Sequence, residues 1–155
     1  MVELIHVSLP EEMPLVRQLF EEYAASLDFD LCFQHFDVEL ERLPGEYAPP
    51  EGTIVVAYLQ GAPAGCVALR KWEEDSCEMK RLYVRPECRR KGVGRALAEA
   101  LIAHARCLGY ASMKLDTLAS MREANELYAS LGFKECQAYR YNPCTGPVFM
   151  ELSLR

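Results

Sequence analysis

The sequence predicts one α+β domain, a mixed and mostly antiparallel sheet with helices on both faces. Two observations carry this. The first half of the chain reads as antiparallel hairpins and the second half as strand–helix–strand, an order that builds a single mixed sheet. The chain has 155 residues, and splitting it would leave pieces too small to bury a good core. Residues 1–155 are therefore read as one domain, without internal repeat or linker.

The elements follow in order. Residues 2–7 alternate in polarity and predict a strand. Pro10-Glu11-Glu12 opens a helix that runs to about Leu27, with Leu15, Leu19, Phe20 and Tyr23 on one face. A short helix begins at Asp37 and stops at Pro44-Gly45. The β-rich run Thr53 to Leu59 and the run Ala64 to Trp72 flank the turn Gln60-Gly61-Ala62-Pro63, which predicts a hairpin. Cys77 to Val84 is the next strand, ended by Pro86. Gly92 to Leu108 is amphipathic, with Val93, Leu97, Ala100, Leu101, His104 and Leu108 at helical spacing and Gly109 as its C-cap. Ser112 to Asp116 is a short strand, Ser120 to Leu131 a helix closed by Gly132. Residues 133–139 and 147–154 predict a final strand pair.

Composition removes several function classes. The apolar set makes up 50% of residues and charged residues 26%, which are globular values. No run approaches the about 20 apolar residues needed to span a bilayer. The N-terminal residues lack the basic-then-apolar pattern of a secretion signal, so a cytoplasmic protein is expected, with no membrane partner. Seven cysteines without a C-x-x-C pair predict reduced thiols rather than a disulfide framework, and dispersed His6, His35 and His104 predict no metal site. The formal net charge of −6 argues against nucleic acid as a general partner.

The charge is unevenly spread. Residues 1–52 hold twelve acids and two bases, whereas Arg85 to Arg95 holds five bases and one acid. That basic island lies at a predicted strand–loop–helix junction, Arg89-Arg90-Lys91-Gly92-Val93-Gly94. Basic residues oppose the helix dipole there unless an anion is bound. The first amides of a helix lack intrahelical partners, and two glycines remove the Cβ atoms that would keep a bulky anion away. The junction is therefore a candidate diphosphate cradle. A nucleotide P-loop would require G-x-x-x-x-G-K-[ST], which is absent. A dinucleotide fold would require a third small residue where Leu97 stands and a strand end closer than Val84.

The residues that carry this cradle also carry a resemblance. Arg89-x-x-Gly92-x-Gly94, entered from Leu82-Tyr83-Val84-x-Pro86, resembles the acyl-CoA signature of the GNAT acetyltransferase superfamily. Ala124-x-x-Leu127-Tyr128-x-x-x-Gly132-Phe133 resembles that superfamily's second motif, and the order of elements over about residues 2–154 fits too. The resemblance implies a sheet splayed between the 77–84 and 112–116 strands, with acetyl-CoA as co-substrate. Its pantetheine would pair with the backbone of Leu82, Tyr83 and Val84. Its diphosphate would rest on Arg89, Arg90, Lys91, Gly92, Val93, Gly94 and Arg95. Where relatives carry an Asn that touches pantetheine, this chain has Met121.

The implied reaction is direct attack of a primary amine, on a small molecule or a peptide, on the acetyl thioester. Tyr128 is placed by the resemblance as the acid for the departing sulfur, and Glu78 as the base for the amine. The first two helices and the last loop would line the acceptor side, with Tyr47, Tyr139, Tyr141 and Asn142 as candidate contacts. Acids such as Asp28, Asp30 and Asp37 there would favour a cationic amine. A homodimer is compatible with the resemblance. A non-catalytic acyl-CoA sensor is the alternative, and it would need neither Tyr128 nor Glu78.

Overall fold

The computed structural model describes residues 1–27, 30–31 and 35–155. Its frame is a seven-stranded sheet in the order β1-β2-β3-β4-β5-β7-β6. Strand β1 (Val2–Val7) pairs antiparallel with β2 (Thr53–Leu59), β2 with β3 (Ala62–Glu73) and β3 with β4 (Ser76–Val84). Strand β5 (Ser112–Leu118) lies parallel to β4 and antiparallel to β7 (Pro147–Ser153), and the two-residue β6 (Lys134–Glu135) closes the far edge. The predicted mixed, mostly antiparallel sheet is what the chain forms. The expected strand over 133–139 is shorter: after Glu135 the chain leaves the sheet, and the side chains of Tyr139 and Arg140 turn to bind Glu78.

Alternation along the strands gives the sheet two apolar faces. On one, Val55, Ala57, Val67 and Leu69 pack with α3 (Val93–Cys107) and α4 (Arg122–Ser130). On the other, Ile54, Val56, Cys66 and Ala68 pack with α1 (Met13–Ser26), with Leu40 and Leu43 at the end of α2 (Phe36–Arg42) and with Tyr47. The start of α1 is fixed by Glu12, whose carboxylate accepts from the backbone N–H of Ser8 and Leu9 at 3.0 and 2.9 Å. Helix α3 buries Val93, Leu97, Ala98, Leu101, Ile102 and Ala105. The expected apolar stripe ends earlier than its last member, because Leu108 lies past the final turn and is 38% exposed. Among the described residues no helix is long and apolar enough to cross a membrane.

Two irregularities in the middle of the sheet create the space for function. Among the described residues β4 and β5 pair only at Ser76–Ser112, Cys77–Met113 and Glu78–Lys114. Beyond Glu78 the two strands part, as the splay implied by the resemblance requires. In the same stretch β4 carries a bulge against β3. Lys80 faces Ala68 and Tyr83 faces Cys66, and between them Arg81 adopts a φ of +62°. A bulky residue in that region is strained, and such strain is kept where the surroundings over-determine it. Here the Arg81 guanidinium is clamped to Glu39 of α2, with Nε to Oε2 at 2.9 Å and Nη2 to Oε1 at 2.8 Å.

Candidate active site

Three spaces bear on the site, the first two of them continuous. The first is a groove of about 850 Å³ between the end of β4, the start of α3 and the start of α4. Leu82, Tyr83, Val84, Arg89, Arg90, Gly92, Val93, Gly94 and Arg95 all line it, so nine of the ten residues expected at the diphosphate and pantetheine converge. Lys91 does not line it; its side chain is exposed beyond the turn. Gly92 sits at the N-cap of α3 with φ +81°, a conformation that costs glycine nothing. The first helical hydrogen bond runs from Ala96 N–H to Gly92 C=O, so the amides of Val93, Gly94 and Arg95 have no partner within the helix. No acidic side chain occupies the first turn. Gly94 faces Val84 and Leu127; a Cβ on it would stand 3.6 and 3.7 Å from their methyl groups. The strand end, helix start and α4 meet around that glycine. Not all the basic island points inward. Arg85 is spent on Glu22 (Nη2 to Oε2 2.8 Å) and on the Pro63 carbonyl, which ties β4 to α1.

The second space is the cleft opened by the splay. It is lined by Met79 to Leu82 of β4, Leu115 to Leu118 of β5, and Met121, Ala124 and Tyr128 at α4. Leu82, Leu118, Met121 and Ala124 line the groove as well, so the two spaces are continuous. Tyr128 is aimed here by the end of α4. Gly132 takes φ +102°, which lets the Phe133 N–H return to the Tyr128 carbonyl at 3.0 Å and stacks the Phe133 ring edge-on against Tyr128, 5.8 Å between centroids. Burial, with smaller contributions from Tyr23 and Asp116, pushes the phenol well above its ordinary pKa. It is therefore protonated at every working pH. Asn125 has its amide held by the Leu118 carbonyl and the Thr117 hydroxyl at 2.9 Å each, and Met121 lines the cleft.

The third space, about 610 Å³, lies between α2, the following turn and the outer end of β3. Lys80 lines both this cavity and the cleft. Beneath its floor lies Glu78, fully buried. Its carboxylate accepts from Arg70 Nε at 2.8 Å, from the Tyr139 hydroxyl at 2.7 Å and from Arg140. Burial alone would raise its pKa, but Lys80, Arg140 and Arg70, with the Tyr139 hydrogen bond, outweigh this and hold it below the usual carboxylate value. Its ion pairs are with Arg70 and Arg140. The carboxylate is thus fully buried and held by three donors.

Among the described residues, four acids of the N-terminal third are paired with cations. Glu22 pairs with Arg85, Glu39 with Arg81, Glu46 with Arg70 and Glu51 with Lys71, so these acids are consumed by cations of β3 and of β4 with its following turn. Asp37 is exposed on α2, and Asp28, like Cys32, falls outside the described residues. Of the candidate acceptor contacts, Tyr141 and Tyr47 line the third cavity, Asn142 lines the cleft and bonds Asp116 at 3.1 Å, and Tyr139 is engaged by Glu78. Trp72, at the end of the run predicted as a hairpin strand, lines the third cavity. The Arg70 and Arg140 guanidinium carbons stand 5.4 and 4.9 Å from its ring centroid. Arg70, Lys80 and Arg140 escaped the sequence reading because each is a lone charge far from the others. Their signal was present in part: Glu78, Lys80 and Arg81 on a strand otherwise fit for a sheet centre demand partners.

Comparison with known proteins agrees with this geometry. Residues 15–133 match the model of the acetyltransferase (GNAT) family. An uncharacterised N-acetyltransferase of Schizosaccharomyces pombe is 39% identical over 155 residues, covering 99% of this chain and 95% of its own length. The N-acetylaspartate synthetase of Danio rerio is 35% identical over 105 residues, 66% of this chain but only 36% of that protein. Among solved structures, a GNAT-family acetyltransferase of Staphylococcus aureus superposes over the whole of both chains with TM-score 0.80 at 16% identity. An acetyltransferase of Salmonella typhimurium solved with acetyl-CoA superposes over 99% of this chain and 94% of its own with TM-score 0.73 at 19% identity. The splayed sheet, the glycine turn and these matches lead to one conclusion: the chain belongs to the GNAT family of acetyltransferases.

Proposed function

We propose that the protein is an acetyl-CoA-dependent N-acetyltransferase acting on the primary amine of a small molecule or peptide. The observation that carries this is the continuity of an anion cradle with a narrow cleft holding a protonated phenol, beside a third cavity that shares Lys80 with the cleft. The diphosphate of the co-substrate rests on the free amides of Val93, Gly94 and Arg95, with Arg89 and Arg90 beside it. Pantetheine follows the unpaired edge of β4 along Leu82 to Val84, and the acetyl thioester reaches Tyr128. The N-acetylaspartate synthetases are named for an amino-acid acceptor, which favours a small amino acid over a peptide here.

In the reaction the amine nitrogen bonds the carbonyl carbon, the carbon–sulfur bond breaks, and its electron pair stays on sulfur. Tyr128 donates to that sulfur as charge develops. The proton lost by the amine passes to Lys80, the residue common to both chambers. Glu78 orients Arg70 and Arg140 rather than abstracting the proton.

Calorimetry with acetyl-CoA, ATP and NAD, followed by thiol release on adding amines, tests this reading. Binding of ATP or NAD in place of acetyl-CoA would refute it, and binding without turnover of any amine would leave the sensor. Tyr128→Phe is expected to lower kcat about 10²-fold while leaving the acetyl-CoA Kd unchanged; an unchanged kcat would remove Tyr128 from the chemistry. Burial, aided by Arg81 and Arg140 and opposed by Glu78 and Asp116, brings the Lys80 ammonium down to about 7. The base form is thus gained as pH rises through that value, and kcat/KM should rise with it. Lys80→Arg keeps a charge that does not titrate, and should abolish that limb of the profile.

A further inference from the structure

The lining of the third cavity is cationic. Arg42, Arg70, Lys80 and Arg140 line it against Glu39 and Glu46. Both acids are already committed, Glu39 to Arg81 and Glu46 to Arg70. Adding the buried Arg81 and Glu78, and the Asp116 that acts on Lys80, gives five cations and four anions, a surplus of one with Lys80 protonated and of none with Lys80 neutral. Glu78 is one carboxylate shared by two guanidiniums. Arg70 completes its needs with Glu46, but Arg140 does not: its Nε is buried and has no hydrogen-bond partner. A buried donor left unmet in this way costs free energy. The guanidinium is nevertheless held in place, packed on Trp72 and anchored by Glu78. Arg42, at the end of α2, is exposed on the opposite wall, with no acceptor facing it among the described residues.

We infer that the acceptor amine is an acidic amino acid, whose carboxylates are held in this cavity by Arg140 and Arg42 while its amine lies at Lys80. This rests on the acetyltransferase reading and narrows its acceptor. A fixed guanidinium on an aromatic platform matches a carboxylate in geometry as well as charge. A polyamine or a lysine side chain would place its positive charge among Arg42, Lys80 and Arg140, and like charges disfavour that. The acceptor thus has the opposite charge to the one suggested by the acidic N-terminal third, because Glu39 and Glu46, the acids of that third that line the cavity, are each paired with a strand arginine. Arg140 and Arg42 are binding and positioning residues; the bond changes are those already given.

Two measurements on the whole chain test this and separate it from the wider reading. The first does not depend on turnover: calorimetry and thermal shift with L-aspartate and L-glutamate, with L-asparagine, spermidine and phosphoethanolamine as comparators, with and without CoA. Wild type should bind the acidic amino acids, and Arg42→Ala should weaken that binding at least about tenfold while leaving the acetyl-CoA Kd unchanged. Arg42 is exposed, so this variant folds even if Arg140→Met does not; Arg140→Lys is the milder partner and should also weaken binding. The second is thiol release from acetyl-CoA, where the acidic amino acids should exceed their amides in kcat/KM and Arg42→Ala should raise KM more than it lowers kcat. Preference for spermidine, asparagine or phosphoethanolamine, or binding indifferent to Arg42 and Arg140, would overturn the inference while leaving an acetyltransferase. Failure to bind acetyl-CoA with aspartate binding intact would overturn the wider reading and keep this cavity's assignment.

Discussion

Gly94→Glu is expected to abolish acetyl-CoA binding, with a Kd raised by at least about 10²-fold and no measurable turnover, while the protein stays folded. The reasons are geometric and electrostatic. Gly94 sits where β4, α3 and α4 meet, with Val84 and Leu127 at ordinary contact distance from any added Cβ. Alanine therefore fits, and Gly94→Ala should retain its fold and bind more weakly than wild type. The longer Glu side chain has room only in the groove, where its carboxylate would take the free amides meant for the diphosphate and repel the diphosphate itself. Gly92 is limited differently. Nothing lies within 4 Å of its would-be Cβ, but its φ of +81° penalises any side chain by roughly 1–2 kcal/mol. Gly92→Ala should thus lose stability and mis-set the helix start without blocking the groove. Calorimetry with CoA on the three variants separates these effects. Full binding by Gly94→Glu would place the diphosphate elsewhere in the molecule.

The second large effect is on stability. Glu78→Ala leaves Arg70 and Arg140 buried or half-buried without their shared counter-charge, and should cost roughly 3–5 kcal/mol. For a chain of this length that is a fall in Tm of roughly 10 °C. The pH dependence has a definite sign. Ion pairing holds the folded-state pKa of Glu78 below its unfolded value, so its contribution is complete above the ordinary carboxylate range. It is lost as pH falls through the depressed value. Wild type should therefore lose stability on acidification, and Glu78→Gln should be less stable at neutral pH with a flatter acid limb. Equal Tm values for wild type and Glu78→Gln at neutral pH would show that the two guanidiniums do not depend on this carboxylate.

How much of this was legible in the sequence depended on whether the signal was local. The cradle was legible because it is contiguous: Arg89 to Arg95 joins glycines, basic side chains and a helix start within seven residues. Tyr128 was legible through the spacing to Gly132 and Phe133, which fix its ring. The clamp around Glu78 was not, since Arg70, Tyr139 and Arg140 approach it only when β3 pairs with β4 and the chain after β6 folds back. Summed charge misled for the same reason. Glu22, Glu39 and Glu46 look like one acidic surface in one dimension, yet each is neutralised by an arginine 24 to 63 residues away. The bulge at Arg81 had no sequence signal, because an arginine with positive φ is held there by its bond to Glu39 and not by its own preference.

The parting of β4 from β5 has a consequence for cooperativity. Among the described residues the two halves of the sheet are joined edge to edge only over Ser76 to Glu78, and past that point the strands part. A thioester carrier lying along that seam becomes in effect the missing rung of the ladder. Amide hydrogens flanking the seam should exchange with solvent far faster in the empty protein than in the loaded one, and melting should sharpen as well as shift upward on saturation. On the proposed reading, the co-substrate would complete the sheet that holds it.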